Sequence, residues 1–254
     1  MDHCNSFLHR KLIFDQDKKN DRVNIGVVQL STDYLLESNW CKLVNHKVTF
    51  LSSRFFFNTY ITTESLRGIK NNIFRASQII AQGLAFDVMA FGCTSASIVI
   101  GEQEVARQLT KNRGNIPATN PWSASKEAFK YFNVKNIAVF SPYAPDVNFL
   151  LYRQLIKSGF SITVFGYLNI TIDTKIPKIS KLSMIQALKI LLYKKRYDAI
   201  FMSCTNLPIL EYIEEIELLF NVPVISSNAA MFWHCLYLLG MKAKCPGYGT
   251  LLNQ

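Results

Sequence analysis

The sequence predicts an α/β fold made of two pseudo-symmetric Rossmann-like lobes with parallel sheets and a candidate site in the cleft between them. Three observations predict it. Short β-rich runs alternate with helical patterns along the chain. The runs are apolar throughout rather than every second residue, as expected of strands covered on both faces. The second half of the chain also repeats the first.

Taken in order, the predicted strands are 24–30, 47–51, 87–91, 116–119, 136–140, 161–167, 198–202 and 223–226. Between and after them, helical patterns cover 64–85, 96–112, 122–132, 146–158, 181–195, 208–220 and 229–239. The segment 208–220 shows the helical period most plainly. Ile209, Ile213, Ile216 and Phe220 form one stripe, Glu211, Glu214, Glu215 and Glu217 fall largely elsewhere, and Pro208 suits the first turn.

The repeat rests on three ordered matches. The run "DVMAFGCTS" (87–95) pairs with "DAIFMSCTN" (198–206), an offset of 111 residues between Cys93 and Cys204. The run "VNIGVVQLSTD" (23–33) pairs with "KNIAVFSPYAP" (135–145), and "NIPATN" (115–120) with "NVPVISSN" (221–228). The expected division is an N-terminal extension over 1–21, a first lobe over 22–114 plus 228–254, and a second lobe over 115–227.

With 254 residues, 49% of them hydrophobic, the chain can bury a large core. No run approaches the ~18 apolar residues of a membrane helix, and the first 22 residues hold no signal-like apolar stretch, so a cytoplasmic protein with no membrane partner is expected. The six cysteines form no CxxC and the four histidines show no ligand spacing, which points to free thiols and no metal site. The net charge of +10 is spread along the chain without a recognisable nucleic-acid module, so no nucleic-acid partner is expected. A basic surface that attracts anionic substrates explains it as well.

Ligands of open α/β sheets bind beyond the carboxyl ends of the strands. Cys93 and Cys204 both stand there, at equivalent points of the two halves. Facing lobes would bring two thiols to one cleft. A lone cysteine is usually a small core hydrophobe, but the twin argues against that role here. Each Cys-Thr turn is expected to open a helix, whose N–H groups can bind a carboxylate and whose positive end lowers the thiol pKa. Asp33, at the end of the first strand, reaches the same rim. It can take a proton from a thiol or pair with a cationic nitrogen, which would favour amino-acid-like substrates over plain dicarboxylates. The alternative is that Asp33 caps the following helix, "YLLESNW". His234, Cys235 and Cys41 read as structural, with both cysteines in the core or at its boundary. Asp87 and Asp198 lie at the wrong strand ends for chemistry and read as turn or helix-end residues.

The blocks "VVQLSTDYLLE" (27–37), "GCTSASIVIGE" (92–102), "SPYAPDVN" (141–148), "SCTNLP" (203–208), "VPVISSNAAMFWHCLYLLG" (222–240) and "PGYGTLL" (246–252) resemble the aspartate/glutamate racemase superfamily. Within it the maleate cis–trans isomerase and ectoine-utilisation subgroup is the most similar, with Thr32-Asp33 as in the latter. The resemblance implies cofactor-independent chemistry on a small carboxylic acid, with Cys93 and Cys204 as catalytic thiols. It implies that Thr94, Ser95 and Tyr143, with Thr205 and Asn206 of the second half, hold the substrate carboxylate. Asn206 stands where glutamate racemases carry His, which argues against a strict glutamate racemase. Arylmalonate decarboxylases share the fold but lack the first cysteine, so with Cys93 present decarboxylation is a minor alternative, beside a non-catalytic carboxylate binder. Oligomeric state is left open, with a homo-oligomer among the expectations.

Overall fold

The computed structural model describes residues 12–14 and 22–254. The proposed N-terminal extension, with Cys4, His3 and His9, therefore lies almost wholly outside the described residues. Two four-stranded parallel sheets carry the fold. The first has the order β2-β1-β3-β4, from β1 (Val23–Leu30), β2 (Val48–Phe55), β3 (Val88–Phe91) and β4 (Ala118–Thr119). The second has the order β6-β5-β7-β8, from β5 (Asn136–Ser141), β6 (Ser161–Tyr167), β7 (Ala199–Met202) and β8 (Val224–Ser226). The two orders are the same order, strand for strand. The duplication read from the sequence is thus present in the topology.

The central strands are buried almost end to end, whereas β2 and β6, at the sheet edges, are mostly half-buried. This is why the central runs read as continuous apolar stretches. A paired aspartate device marks the duplication at the far end of each sheet. Asp87 accepts from the Asn24 N–H at 2.7 Å, and Asp198 from the N–H groups of Lys135 and Asn136 at 2.8 and 2.7 Å. Both aspartates are structural, and they tie strand starts together rather than helix ends.

One predicted boundary moves. Strand β4 hydrogen-bonds to β3 in the first sheet, although a division at residue 115 assigns it to the second lobe. The repeat itself pairs 115–120 with 221–228, so the first half must run past Thr119.

Several helices also differ from their periodic patterns. The pattern over 64–85 is two helices, α2 (Thr63–Gly68) and α3 (Lys70–Ile79), and the one over 96–112 is α4 (Thr94–Ile100) and α5 (Glu102–Thr110). Gly101 separates the latter pair with φ +96°, a conformation that a side chain rarely adopts. A helix over Leu36–Leu43, α1, is missing from the periodic patterns and overlaps the segment weighed as the helix after Asp33.

The remaining helices are α6 (Pro121–Tyr131), α7 (Pro145–Lys157), α8 (Lys181–Leu191), α9 (Ile213–Phe220) and α10 (Ser227–Leu238). Pro208 precedes rather than opens α9, because a 3-10 turn over Leu210–Tyr212 intervenes. Ile209, Ile213 and Ile216 are nevertheless buried as the stripe predicts, with Phe220 partly so.

Candidate active site

Five loops leave the carboxyl ends of strands and converge. Those after β1, β3, β5 and β7 bring Thr32 with Asp33, Cys93, Tyr143, and Cys204 with Thr205 and Asn206. The loop after β6 brings Asp173. Hydrogen bonds across the two halves lock them. Thr32 donates its hydroxyl to Asp173, and Thr205 donates to Asp33 at 2.8 Å. Asn206 accepts from the Tyr34 N–H at 3.1 Å and donates to the Thr32 carbonyl at 3.2 Å. The loops after β2 and β6 meet through an antiparallel bridge between Tyr60 and Ile172. Behind the site, Asn228 of α10 accepts from the Trp40 indole at 2.8 Å and donates to the Thr205 carbonyl at 3.2 Å.

Cys93 is the N-cap residue of α4, with the Ser95 hydroxyl 3.5 Å from its sulfur. Gly92 before it has no room for a side chain, since a Cβ there would come 2.2 Å from a methyl of buried Leu36. The glycine thus lets α1 press against the loop that presents the thiol. Cys204 differs from its twin, for no α-helix starts at it. Its sulfur accepts instead from the Asn206 N–H at 3.3 Å within a turn. The Thr205 hydroxyl also reaches the Gly92 carbonyl at 3.4 Å, which ties the two cysteine loops directly. The Tyr143 hydroxyl lies against both Cys204 and Ser95.

The site is closed. Cys93 is 6% exposed, Cys204 4% and Tyr143 2%. Burial reverses the thiol acidity that helix N-termini alone predict. It pushes Cys93 up to about 12 and Cys204 well above its ordinary value, and the negative charge of Asp173 and Asp33 acts in the same direction. Tyr143 is also raised, by burial first and then by the two thiols. Asp173 is pushed up to about 7 by burial and by Asp33, against the hydroxyl of Thr32.

Asp33 has its hydrogen-bond capacity taken by protein groups. One oxygen accepts from the N–H groups of Leu35 and Leu36 at 3.0 and 2.9 Å, and the other from Thr205. These contacts match the helix-starting role weighed for it. Thr94 is fully buried, and its hydroxyl has no partner. Asp173 is the residue that sequence reasoning missed. It sits in "TIDTKIP" (171–177), which reads as an ordinary polar loop, and only its place beyond a strand's carboxyl end could have marked it.

His234 is structural. Its Nδ1 lies 2.6 Å from the Thr119 hydroxyl, and burial lowers it to about 4, so the ring is neutral at pH 7. Cys235 is buried as expected, but Cys41 is exposed, because it lies on the solvent side of the short helix α1. Among the described residues, no group of three or more His, Cys, Asp or Glu side chains could hold a metal ion. No described helix is long and apolar enough to cross a membrane. Thiol exposure gives a direct expectation. In the ligand-free protein, iodoacetamide should label Cys41 well before Cys93 or Cys204, as peptide mapping over time will read. Fastest labelling at Cys93 or Cys204 would mean that the closed arrangement does not persist in solution.

Fold and site together define a two-lobed α/β protein that presents one thiol from each half to a closed site at the lobe junction. The chain belongs to the arylmalonate decarboxylase family, whose model matches residues 47–252. It is 22% identical to a maleate isomerase of Geobacillus stearothermophilus over 226 residues, 86% of this chain and 89% of that one. Among solved structures it is similar to a cysteine-to-serine mutant of Nocardia farcinica maleate cis–trans isomerase with a covalently bound succinylcysteine intermediate. That match has a TM-score of 0.82 and 24% identity, covering 91% of this chain and 98% of that one. A glycine-to-cysteine, cysteine-to-serine mutant of arylmalonate decarboxylase in its liganded form gives a TM-score of 0.78 at 24% identity, covering 90% and 98%.

Proposed function

We propose that this protein is a cofactor-independent isomerase or racemase of a small carboxylic acid, with Cys93 and Cys204 as its catalytic thiols. The observation that carries the reading is that equivalent loops of a duplicated fold deliver one thiol each to the same buried site. A substrate bound between them meets one sulfur on each face. As a racemase, one thiolate takes the proton from the carbon beside the carboxylate and the opposite thiol returns its own proton to the other face. As a cis–trans isomerase, the Cys93 thiolate forms a C–S bond at one alkene carbon and the neighbouring carbon is protonated. Rotation about the new single bond follows, then loss of that proton and departure of the thiolate.

In either case the Tyr143 hydroxyl stabilises the Cys204 thiolate by donating to it. In this reading Thr94 and Ser95, beside Cys93, hold the carboxylate. Thr205, Asn206 and Asp33 bind the lobes together around it. The protein acts in the cytoplasm on a small-molecule substrate.

A second reading is decarboxylation, favoured by the family's own description. Cys93 weighs against it, since a one-sided protonation needs a single thiol. Deuterium uptake from heavy water into a panel of small carboxylic acids, followed by NMR, separates the readings. The two-thiol reading expects exchange or isomerisation without carbon dioxide release. Release of carbon dioxide from malonates as the only turnover would replace it with decarboxylation, and no turnover of any kind would leave a carboxylate-binding protein.

A further inference from the structure

Helix α8 is apolar on both of its sides. On the inner side Met184, Leu188 and Leu192 are buried at helical spacing, and Leu191 packs so closely on β6 that a Cβ at Gly166 would come within 2.8 Å of it. On the outer side Leu182, Gln186, Lys189 and Ile190 fall within an arc of about 100°, and Tyr193 continues the line past the helix end. Leu182 is 65% exposed, Ile190 81% and Tyr193 68%. A helix face turned to water is expected to be polar, so three large apolar side chains together mark a surface that lacks its partner.

The charge of the same segment is one-sided. From Thr174 to Tyr197 the sequence holds no Asp or Glu, while Lys and Arg recur throughout. Lys181 is taken up by Glu215 at 2.6 Å and by the ring of Tyr212. The others, Lys175, Lys178, Lys189, Lys194, Lys195 and Arg196, form no ion pair among the described residues. Lys194, Lys195 and Arg196 stand exposed in a row on the turn after α8. That turn is fixed, since the Lys195 N–H donates to the Leu192 carbonyl at 3.1 Å and the Thr163 hydroxyl to the Arg196 carbonyl at 2.9 Å. A block of cations is therefore held at the end of the apolar face.

We propose that this face attaches the protein peripherally to an anionic phospholipid surface. Leu182, Ile190 and Tyr193 enter the boundary between headgroups and acyl chains, and the cations at the end of the face pair with the lipid phosphates and carboxylates. Tyr193 suits that depth, because its ring is apolar while its hydroxyl stays in water. Two other occupants match fewer of these features. A second copy of the chain would set the same cations against each other, and a nucleic acid would neutralise the cations but leave Leu182 and Ile190 in water. Attachment of this kind needs no spanning helix, so it replaces the expectation of no membrane partner, which rested on the lack of a spanning segment. It is independent of the chemistry proposed for the thiols.

The test is cosedimentation of the full-length protein with vesicles of phosphatidylcholine alone and of phosphatidylcholine with an equal share of phosphatidylserine, at physiological salt. The mixed vesicles are expected to bind at least about tenfold more tightly than the neutral ones. Lys194→Glu, Lys195→Glu and Arg196→Glu together should weaken that binding by about tenfold or more. Leu182→Ser with Ile190→Ser should do the same by about tenfold, although it changes no charge. A chain of net charge +10 can adsorb to an anionic surface through any of its cations, so the control reverses Lys47, Arg67 and Arg75, exposed cations of the first lobe. That control should stay within about threefold of the parent, and melting curves should show every variant folded. Equal loss in the control, unchanged binding after Leu182→Ser with Ile190→Ser, or no preference for the mixed vesicles overturns the proposal. Retention on polyuridylic acid that survives loss of the two apolar side chains and exceeds retention on vesicles would assign the face to nucleic acid and overturn it too. So would a dimer, read by light scattering, that the same two serine replacements dissociate.

Discussion

Replacing either Cys93 or Cys204 by serine is expected to lower turnover by at least about a hundredfold, the scale of a lost acid–base partner. The reason is the two-sided geometry. A hydroxyl in place of either sulfur is too weak an acid to serve as thiolate on its own face, and the opposite thiol cannot reach that face. The change is nearly isosteric, so thermal unfolding should stay close to that of the parent, and Cys41→Ser, on the exposed face of α1, should leave the rate unchanged. Initial rates beside melting curves check all three. Full activity in either of the first two variants would end the two-thiol mechanism. A rate loss matched by a collapse in stability would instead mark a packing role.

The second large effect concerns Asp173 and pH. Its carboxyl titrates at about 7 in the folded protein, against 3.8 without the fold, chiefly because it is buried. The folded state therefore holds the proton more tightly than the unfolded chain. Stability from this group is fully present below 3.8 and is lost as pH rises toward about 7. Asn has no such titration. Asp173→Asn should therefore gain on the parent as pH rises, the difference in unfolding free energy widening by about 2–3 kcal/mol between pH 5 and pH 8. Urea melts at the two pH values measure it. A difference that stays constant or narrows would show that the carboxyl is not held protonated by burial.

What was hard to read follows from where the physics is non-local. Helix α1 escaped the periodic reading because it is only eight residues long and its start depends on Asp33, a residue that also attracts a chemical reading. Gly101 sits inside a pattern whose apolar spacing continues past it, so the break between α4 and α5 is visible only as backbone geometry. The acidity of the two cysteines is hidden from the local sequence for a related reason. A helix N-terminus is a local feature of "GCTSAS", and it favours thiolate. Burial by the opposite lobe is not local, and it is the larger effect.

By itself the sequence determined the parallel α/β architecture, its duplication, and the pairing of Cys93 with Cys204. Those are written in apolar runs and repeated motifs, which depend on neighbours a few residues away and on self-similarity along the chain. Tertiary structure alone decided that the site is closed, that Asp33 is held by α1 and Thr205, and that Asp173 enters the site 31 residues before Cys204. It decided these because burial and charge depend on what the other lobe places nearby, and a single polar residue in a loop carries no mark of what it will face once two sheets have come together.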